Sequence, residues 1–145
     1  VKAMIAIDPI DSSVFGQRSI AQINIPTMIV GGSADTVAPA LPEQIRPFTW
    51  LKTPERYLVM IDRGTHFSTL QEGDEQGVPV PPEVIGPDPA IAQRYVKALG
   101  LAFFKTYIAD QSSYRPYLSS TYVRRLSQEP LPLSLVQSLT LQQLK

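Results

Sequence analysis

Two side chains in this sequence are of the types that exchange a proton during catalysis, and both follow apolar runs through short turns. His66 is the only histidine, and a Gly-Thr turn precedes it after the apolar run at residues 56–62. Asp35 follows another apolar run, residues 26–30, through a Gly-rich turn. A carboxylate that accepts the Nδ1–H of an imidazole fixes its tautomer and stabilises the imidazolium, which is the acid–base half of a Ser-His-Asp triad.

Each of these residues also has an ordinary structural interpretation. A single histidine in a turn is usually a surface residue, and an aspartate after a Gly-rich turn usually stabilises the turn through its side chain. The pair is more informative, because an acid followed by a histidine after successive strands matches the Ser-Asp-His order of α/β-hydrolases. Asp8 is a rival for the acid, since it also ends an apolar run, at residues 2–8.

A parallel sheet is the element that would bring these groups together. Apolar runs predict three strands, the first of a kind buried on both faces. Their alternation with helical segments is typical of a parallel α/β sheet, in which ligands bind at the carboxyl ends of the strands. Asp8, Asp35 and His66 are all predicted to lie there. The predicted strands are residues 2–8, 26–30 and 56–62, and the predicted helices are residues 18–23, 39–51 and 88–108.

The segment between the histidine and the last of these helices is predicted to be irregular. Residues 71–89 contain five prolines and three glycines, which indicates a long loop. This loop is either a lid over the site or a solvated surface loop. Asp88 is predicted to cap the long helix, with Pro89 at its first position.

The C-terminal segment is predicted to form a separate apolar tail. Residues 112–126 indicate a further helical turn, and residues 134–144 are typical of a small amphipathic helix. We therefore divide the chain into an α/β domain at residues 1–125 and a helical tail at residues 126–145 that could dock on another domain or subunit.

The composition excludes several classes of protein. Thirteen basic and thirteen acidic residues balance, so no charge excess points to nucleic acid or to an anionic membrane. The absence of cysteine excludes a disulfide framework, a thiol nucleophile and a Cys-based zinc site. No apolar run approaches the roughly 20 residues needed to cross a bilayer. We expect no metal and no other cofactor.

Two segments resemble the acid and histidine segments of known hydrolases. Residues 25–39, Ile-Pro-Thr-Met-Ile-Val-Gly-Gly-Ser-Ala-Asp-Thr-Val-Ala-Pro, resemble the acid-bearing strand and loop of bacterial cutinases, polyester hydrolases and dienelactone-hydrolase-like enzymes. Residues 57–67, which end Gly-Thr-His-Phe, are similar to their histidine segment. On this resemblance Asp35 falls on the acid, in preference to Asp8, and His66 falls on the catalytic base.

Other parts of the chain extend the resemblance. Residues 95–114 resemble the closing helix and following tail of these enzymes, and residues 2–9 resemble the preceding strand, including that of the related platelet-activating-factor acetylhydrolases. The resemblance covers about residues 1–118 and implies the C-terminal portion of an α/β-hydrolase fold. Two features depart from it: the loop at residues 71–89 is unusually long and proline-rich, and the tail resembles only a group of cyanobacterial α/β-hydrolases with an extra N-terminal domain.

The serine nucleophile of that family is not recognisable here. It sits in a Gly-x-Ser-x-Gly turn, which the sequence lacks. Ser33 comes closest, but Asp35 replaces the last glycine and Pro39 follows where the helix should continue. Ser68 has no strand-to-helix turn around it. We expect the nucleophile and the oxyanion hole to lie in a missing N-terminal part of the same protein, so that this chain alone is inactive as an esterase.

The resemblance implies a carboxylic-ester hydrolase that acts on a small ester or lipid-like substrate, and it favours export to the periplasm or the cell exterior. Phe15 and Phe67 are the candidates for substrate contact, whereas Trp50 suits the core or an interface. The alternative function is a non-catalytic α/β-hydrolase-like domain for binding or interaction. We also expect an exposed edge at the strand of residues 2–8, through which the chain could form a homo-oligomer.

Overall fold

The computed structural model describes residues 1–70 and 82–144. Within them the strands form one four-stranded sheet in the order β1-β2-β3-β4. β1 (Met4–Ile7), β2 (Thr27–Gly32) and β3 (Arg56–Ile61) are parallel, and β4 (Leu133–Val136) is antiparallel to β3. The prediction of an α/β fold on parallel strands is confirmed, and all three predicted strands are present.

Helices connect the strands and flank the sheet. The α-helices are α1 (Asp11–Val14), α2 (Gly16–Ile20), α3 (Arg46–Trp50), α4 (Pro82–Ile85), α5 (Pro89–Tyr107) and α6 (Ser120–Leu126). A π-helical turn at Leu41–Ile45 runs directly into α3, and 3-10 turns occupy Ser112–Leu118 and Leu141–Leu144. The helices predicted at residues 39–51 and 88–108 are confirmed. No helix in the described part of the chain is long and apolar enough to cross a membrane.

The two central parallel strands are largely apolar, and both of their faces are covered. Met28 and Val30 of β2 pack in one cluster with residues of α5 such as Phe103. Ile29, which points to the other face, packs in a second cluster with Phe48 of α3. This double burial is the physical reason why these strands read as continuous apolar runs rather than as alternating ones.

The first strand does not fit the prediction that it is buried on both faces. Met4 to Ala6 are half-buried, and Ile7 is exposed. The reason is position: in the described residues β1 pairs only with β2 and lies at an edge of the sheet. Association of two chains through this edge stays a prediction.

The prediction of a helix at residues 134–144 is wrong for most of that segment. Leu133 and Leu135 are buried while Ser134 between them is exposed, a period of two that suits a strand. The edge of β3 supplies the backbone partners. The hydroxyl of Tyr95 in α5 also holds the incoming chain, since it accepts the N–H of Gln128 (2.6 Å) and donates to the carbonyl of Leu131 (3.0 Å). The domain boundary at residues 125 and 126 stays a prediction.

Three smaller predictions also need correction. Asp88 makes no capping hydrogen bond and has a left-handed backbone, with φ of 43°. The helical turn predicted at residues 18–23 begins and ends earlier, as α2, and α1 precedes it. In the predicted loop at residues 71–89, α4 is helical. The possible lid falls mainly on residues 71–81, which lie outside the described residues.

Candidate acid–base site

The turns that follow β2 and β3 are in direct contact. The backbone N–H of Ala34 donates to the carbonyl of Gly64 at 2.9 Å. A Cβ on Gly32 would lie 2.2 Å from that same carbonyl oxygen, so only glycine permits this close approach. The turn that carries Asp35 and the turn that carries His66 are thereby held side by side.

Asp35 and His66 are joined by a hydrogen bond, with His66 Nδ1 2.9 Å from Asp35 Oδ2. The Asp35 side chain is fully buried, whereas the imidazole is 25% exposed. The other carboxylate oxygen, Oδ1, accepts the backbone N–H groups of Val37 and Ala38, each at 2.8 Å. An ionised carboxylate accepts only, so this geometry favours the imidazole tautomer with its proton on Nδ1 and leaves Nε2 free to act as a base.

A glutamine that the sequence analysis did not single out also contacts the acid. Gln44 Nε2 donates to the carbonyl of Ala38 (2.9 Å) and lies 3.4 Å from Asp35 Oδ2. Gln44 is completely buried. No sequence signal identifies it, because a glutamine inside a predicted helix gives no indication of which strand end it faces.

The histidine turn is fixed to α4 by two hydroxyl groups. Thr65 Oγ1 donates to the carbonyl of Ile85 at 2.8 Å. Ser68 Oγ accepts the N–H of Thr65 (2.8 Å) and donates to the same Ile85 carbonyl (3.0 Å). Ser68 is buried and its hydroxyl is committed to these bonds, so it is placed as a structural group rather than as a nucleophile.

Asp8 brings a second carboxyl group to the same edge of the sheet. It is buried and lies at the end of β1 with a left-handed φ of 45°. Burial and the charge of Asp35 raise its pKa to about 7, although His66 and a backbone hydrogen bond from Gly32 act in the opposite direction. The hydrogen bond to His66 Nδ1 is made by Asp35, which favours Asp35 over Asp8 as the acid.

Ser33, the nearest match to a nucleophile, is engaged elsewhere. Its hydroxyl donates to Asp62 Oδ1 at 2.7 Å and accepts the backbone N–H of Arg63 at 2.8 Å. These contacts tie the turn after β2 to the turn after β3 on the exposed side. They give Ser33 a structural task that its position in the Gly-Gly-Ser sequence did not reveal.

The two phenylalanines proposed to contact a substrate occupy different surroundings. The ring of Phe67 meets the imidazole of His66 edge-on, with centroids 5.2 Å apart. Phe15 is 60% exposed and lines a largely apolar cavity of about 360 Å³ beside β1 and β2. The structure therefore brings Phe67, and not Phe15, into contact with the proposed base. A role in substrate contact stays a prediction for both.

A second acidic pair lies where the loop after β1 meets the helical segment after Asp35. Glu43 Oε2 accepts the backbone N–H groups of Ser12 (2.8 Å) and Ser13 (3.2 Å). Burial and the nearby charge of Glu43 raise the pKa of Asp11 to about 6. Glu43 therefore anchors the loop that carries Phe15, a role that the sequence analysis missed.

The described residues contain no group of three or more His, Asp or Glu side chains placed to hold a metal ion. Compared with known proteins, the chain matches no family model and no curated sequence.

Proposed function

We propose that this chain supplies the acid and the base of a serine-type carboxylic-ester hydrolase, with Asp35 as the acid and His66 as the base. The single observation that carries the proposal is the bond from His66 Nδ1 to the buried Asp35 carboxylate, together with the partly exposed imidazole. The α/β architecture and the sequence resemblance to cutinases and dienelactone-hydrolase-like enzymes support it.

In the proposed mechanism His66 Nε2 removes the proton from a serine hydroxyl as its oxygen attacks the ester carbonyl. Asp35 stabilises the imidazolium that forms, and His66 then gives the proton to the departing alcohol. A water molecule then attacks the ester that the serine has formed, with His66 again as the base, and this releases the carboxylic acid product and the free serine. The serine and the oxyanion donors come from a polypeptide segment outside this chain, because neither Ser33 nor Ser68 is free to act and the sequence lacks a Gly-x-Ser-x-Gly turn.

The first test is the tautomer of His66, which is directly measurable because the chain has one histidine. In protein labelled with ¹⁵N-histidine, the neutral ring should carry its proton on Nδ1. Asp35→Asn should remove that preference, because the amide oxygen would stay with the N–H groups of Val37 and Ala38 and the NH2 that replaces Oδ2 would donate to Nδ1. Asp62→Asn is the matched control and should leave the imidazole spectrum unchanged. A wild-type ring protonated on Nε2 would contradict the proposal.

The second test concerns activity. The purified chain should not turn over a p-nitrophenyl ester and should not be labelled by a fluorophosphonate. Turnover that disappears in His66→Ala would show that a nucleophile lies within the chain, and the proposed division of the catalytic groups would be wrong.

A non-catalytic binding domain is the second candidate function. The observation that favours it is a set of exposed apolar side chains in the segments that follow β1 and β2. Val14, Phe15, Val37 and Leu41 are each about half exposed or more, at 65%, 60%, 50% and 49%. If this is the function, His66→Ala should leave binding and biological activity intact, whereas Phe15→Ser should reduce them.

A further inference from the structure

Packing alone does not explain the hydrogen bonding of the Gln44 side chain. Its Nε2 faces the Ala38 carbonyl and Asp35 Oδ2, while its Oε1 is buried and has no hydrogen-bond partner among the described residues. A buried acceptor without a partner costs stability. An apolar side chain of similar length would avoid that cost. The groups that the amide faces must therefore explain why an amide stands at this position.

The orientation of the amide is dictated by its neighbours. If the amide were flipped, Oε1 would face a carbonyl oxygen and a carboxylate, and all three groups would be acceptors. The orientation with Nε2 toward Asp35 is therefore favoured as long as Asp35 is ionised. The unpartnered Oε1 is accommodated against Gly31, where a Cβ would lie only 1.9 Å from it.

Gln44 acts on the carboxylate oxygen that matters for His66. The backbone N–H groups of Val37 and Ala38 hold Oδ1. Gln44 is directed at Oδ2, the oxygen that binds His66 Nδ1. With donors on both oxygens, rotation of the carboxylate about its terminal torsion is restricted, which fixes the direction in which Oδ2 meets the imidazole.

We infer that Gln44 is a positioning residue, whose amide holds Asp35 in the orientation that binds His66. This inference rests on the proposed acid–base function. Gly31 is part of the same arrangement, since it leaves the space that the amide oxygen occupies. The series of contacts from Gly31 through Gln44 and Asp35 to His66 runs from the middle of the fold to the partly exposed imidazole.

The test is the ¹⁵N-histidine spectrum of the whole chain in four variants, Gln44→Leu, Gly31→Ala, Thr106→Val and Asp35→Asn. Gln44→Leu removes the donor and should speed exchange of the His66 Nδ1 proton with water by about fivefold, the effect of losing one ordinary hydrogen bond. Gly31→Ala keeps the amide but displaces it, because the atom it meets is the far end of a flexible side chain. Gly31→Ala should therefore give the same change, and it takes the place of Gln44→Leu if that variant is too unstable to study.

Thr106→Val is the control for a general loss of stability. Thr106 is a buried residue of α5 whose hydroxyl donates to the Ala102 carbonyl at 2.8 Å. Its loss should lower stability and leave His66 unchanged. The inference is overturned if Gln44→Leu and Gly31→Ala both keep the wild-type imidazole spectrum while Asp35→Asn alters it. The proposed function would then stand. A wild-type ring without a proton on Nδ1 would remove both.

Discussion

The two ends of the parallel strands each hold a carboxylate in a hydrogen-bond network, but the partners differ in kind. At the carboxyl ends, Asp35 is bound by backbone N–H groups, an amide and an imidazole. At the amino ends, Glu55 accepts from the hydroxyl of Tyr107 at 2.5 Å and from the guanidinium of Arg115 at 3.0 Å. The Asp35 side chain is fully buried, whereas that of Glu55 is 35% exposed.

This difference separates a structural ion pair from a group that can respond to a proton. The hydrogen bond from Tyr107 and the bonds and charge of Arg115 lower the pKa of Glu55, although burial acts in the opposite direction. Its charge is thus balanced by the guanidinium of Arg115, which stays protonated. In the described residues no lysine or arginine bonds to Asp35, and its cationic partner forms only when His66 takes up a proton. Asp35 is therefore arranged to favour that event.

The largest effect expected from this comparison is on catalysis. On the proposed function, Asp35→Asn in a polypeptide that also contains the nucleophile should lower kcat by about 10⁴-fold, because the imidazole loses the acceptor that sets its tautomer. Glu55→Gln is the matched change at the other end and should alter kcat by less than about twofold. Steady-state hydrolysis of a p-nitrophenyl ester measures both. Equal losses in the two variants would show that the comparison is mistaken.

The next effect concerns the contact between the two turns. Gly32→Ala should lower the free energy of unfolding by roughly 3 kcal/mol or more, since its Cβ would meet the Gly64 backbone, which cannot move aside cheaply. Gly100→Ala is the control. In α5 its Cβ would lie 3.7 Å from Ile5 Cδ1, and it should stabilise the protein by about 0.5–1 kcal/mol. Urea unfolding of both variants measures the difference, and a neutral Gly32→Ala would contradict the close approach.

The pH dependence of stability at Asp8 would sharpen the comparison. Its pKa is raised to about 7, so the folded state binds more protons than the unfolded state between about pH 4 and pH 7. The contribution of Asp8 to the free energy of unfolding should therefore be complete below pH 4. It should be lost as the pH rises through 7, by roughly 2–4 kcal/mol. Asp8→Asn should remove that decline. The prediction is contradicted if the free energy of unfolding changes equally between pH 5 and pH 8 in the wild type and in Asp8→Asn, because the Asp8 carboxyl would then be ionised at both pH values.

The smallest effect is expected at the amino ends. Arg115→Met should cost only about 0.5–1 kcal/mol at low salt, because both partners of the ion pair are substantially exposed. The pKa of Glu55 is lowered, so this contribution is present above the unfolded pKa of a glutamate and is lost as the pH falls through the folded value. Unfolding measured with and without added salt checks it. A cost that is insensitive to salt would point to packing of Arg115 on the ring of Tyr107.

The sequence predicted what depends on local pattern and missed what depends on a distant partner. Asp35 and His66 could be placed because the ends of apolar strands and the turns after them are local features. Gln44 could not, since its role depends on Gly31, thirteen positions earlier, and on contacts with the end of β2. β4 was mistaken for a helix because short apolar segments suit either period until an edge such as that of β3 supplies hydrogen bonds.

The antiparallel pairing of β4 also determines how the fold would respond to mechanical load. Val136 pairs with Leu58, and Leu133 pairs with Ile61. A force applied beyond Val136 would therefore unzip β4 from the amino end of β3, breaking one hydrogen-bonded pair after another. The last contacts to part would be those beside the histidine turn, including the bond from the Asp62 N–H to the Pro132 carbonyl at 2.7 Å. The tail would thus yield at low force while the imidazole kept its place until the strand had almost detached.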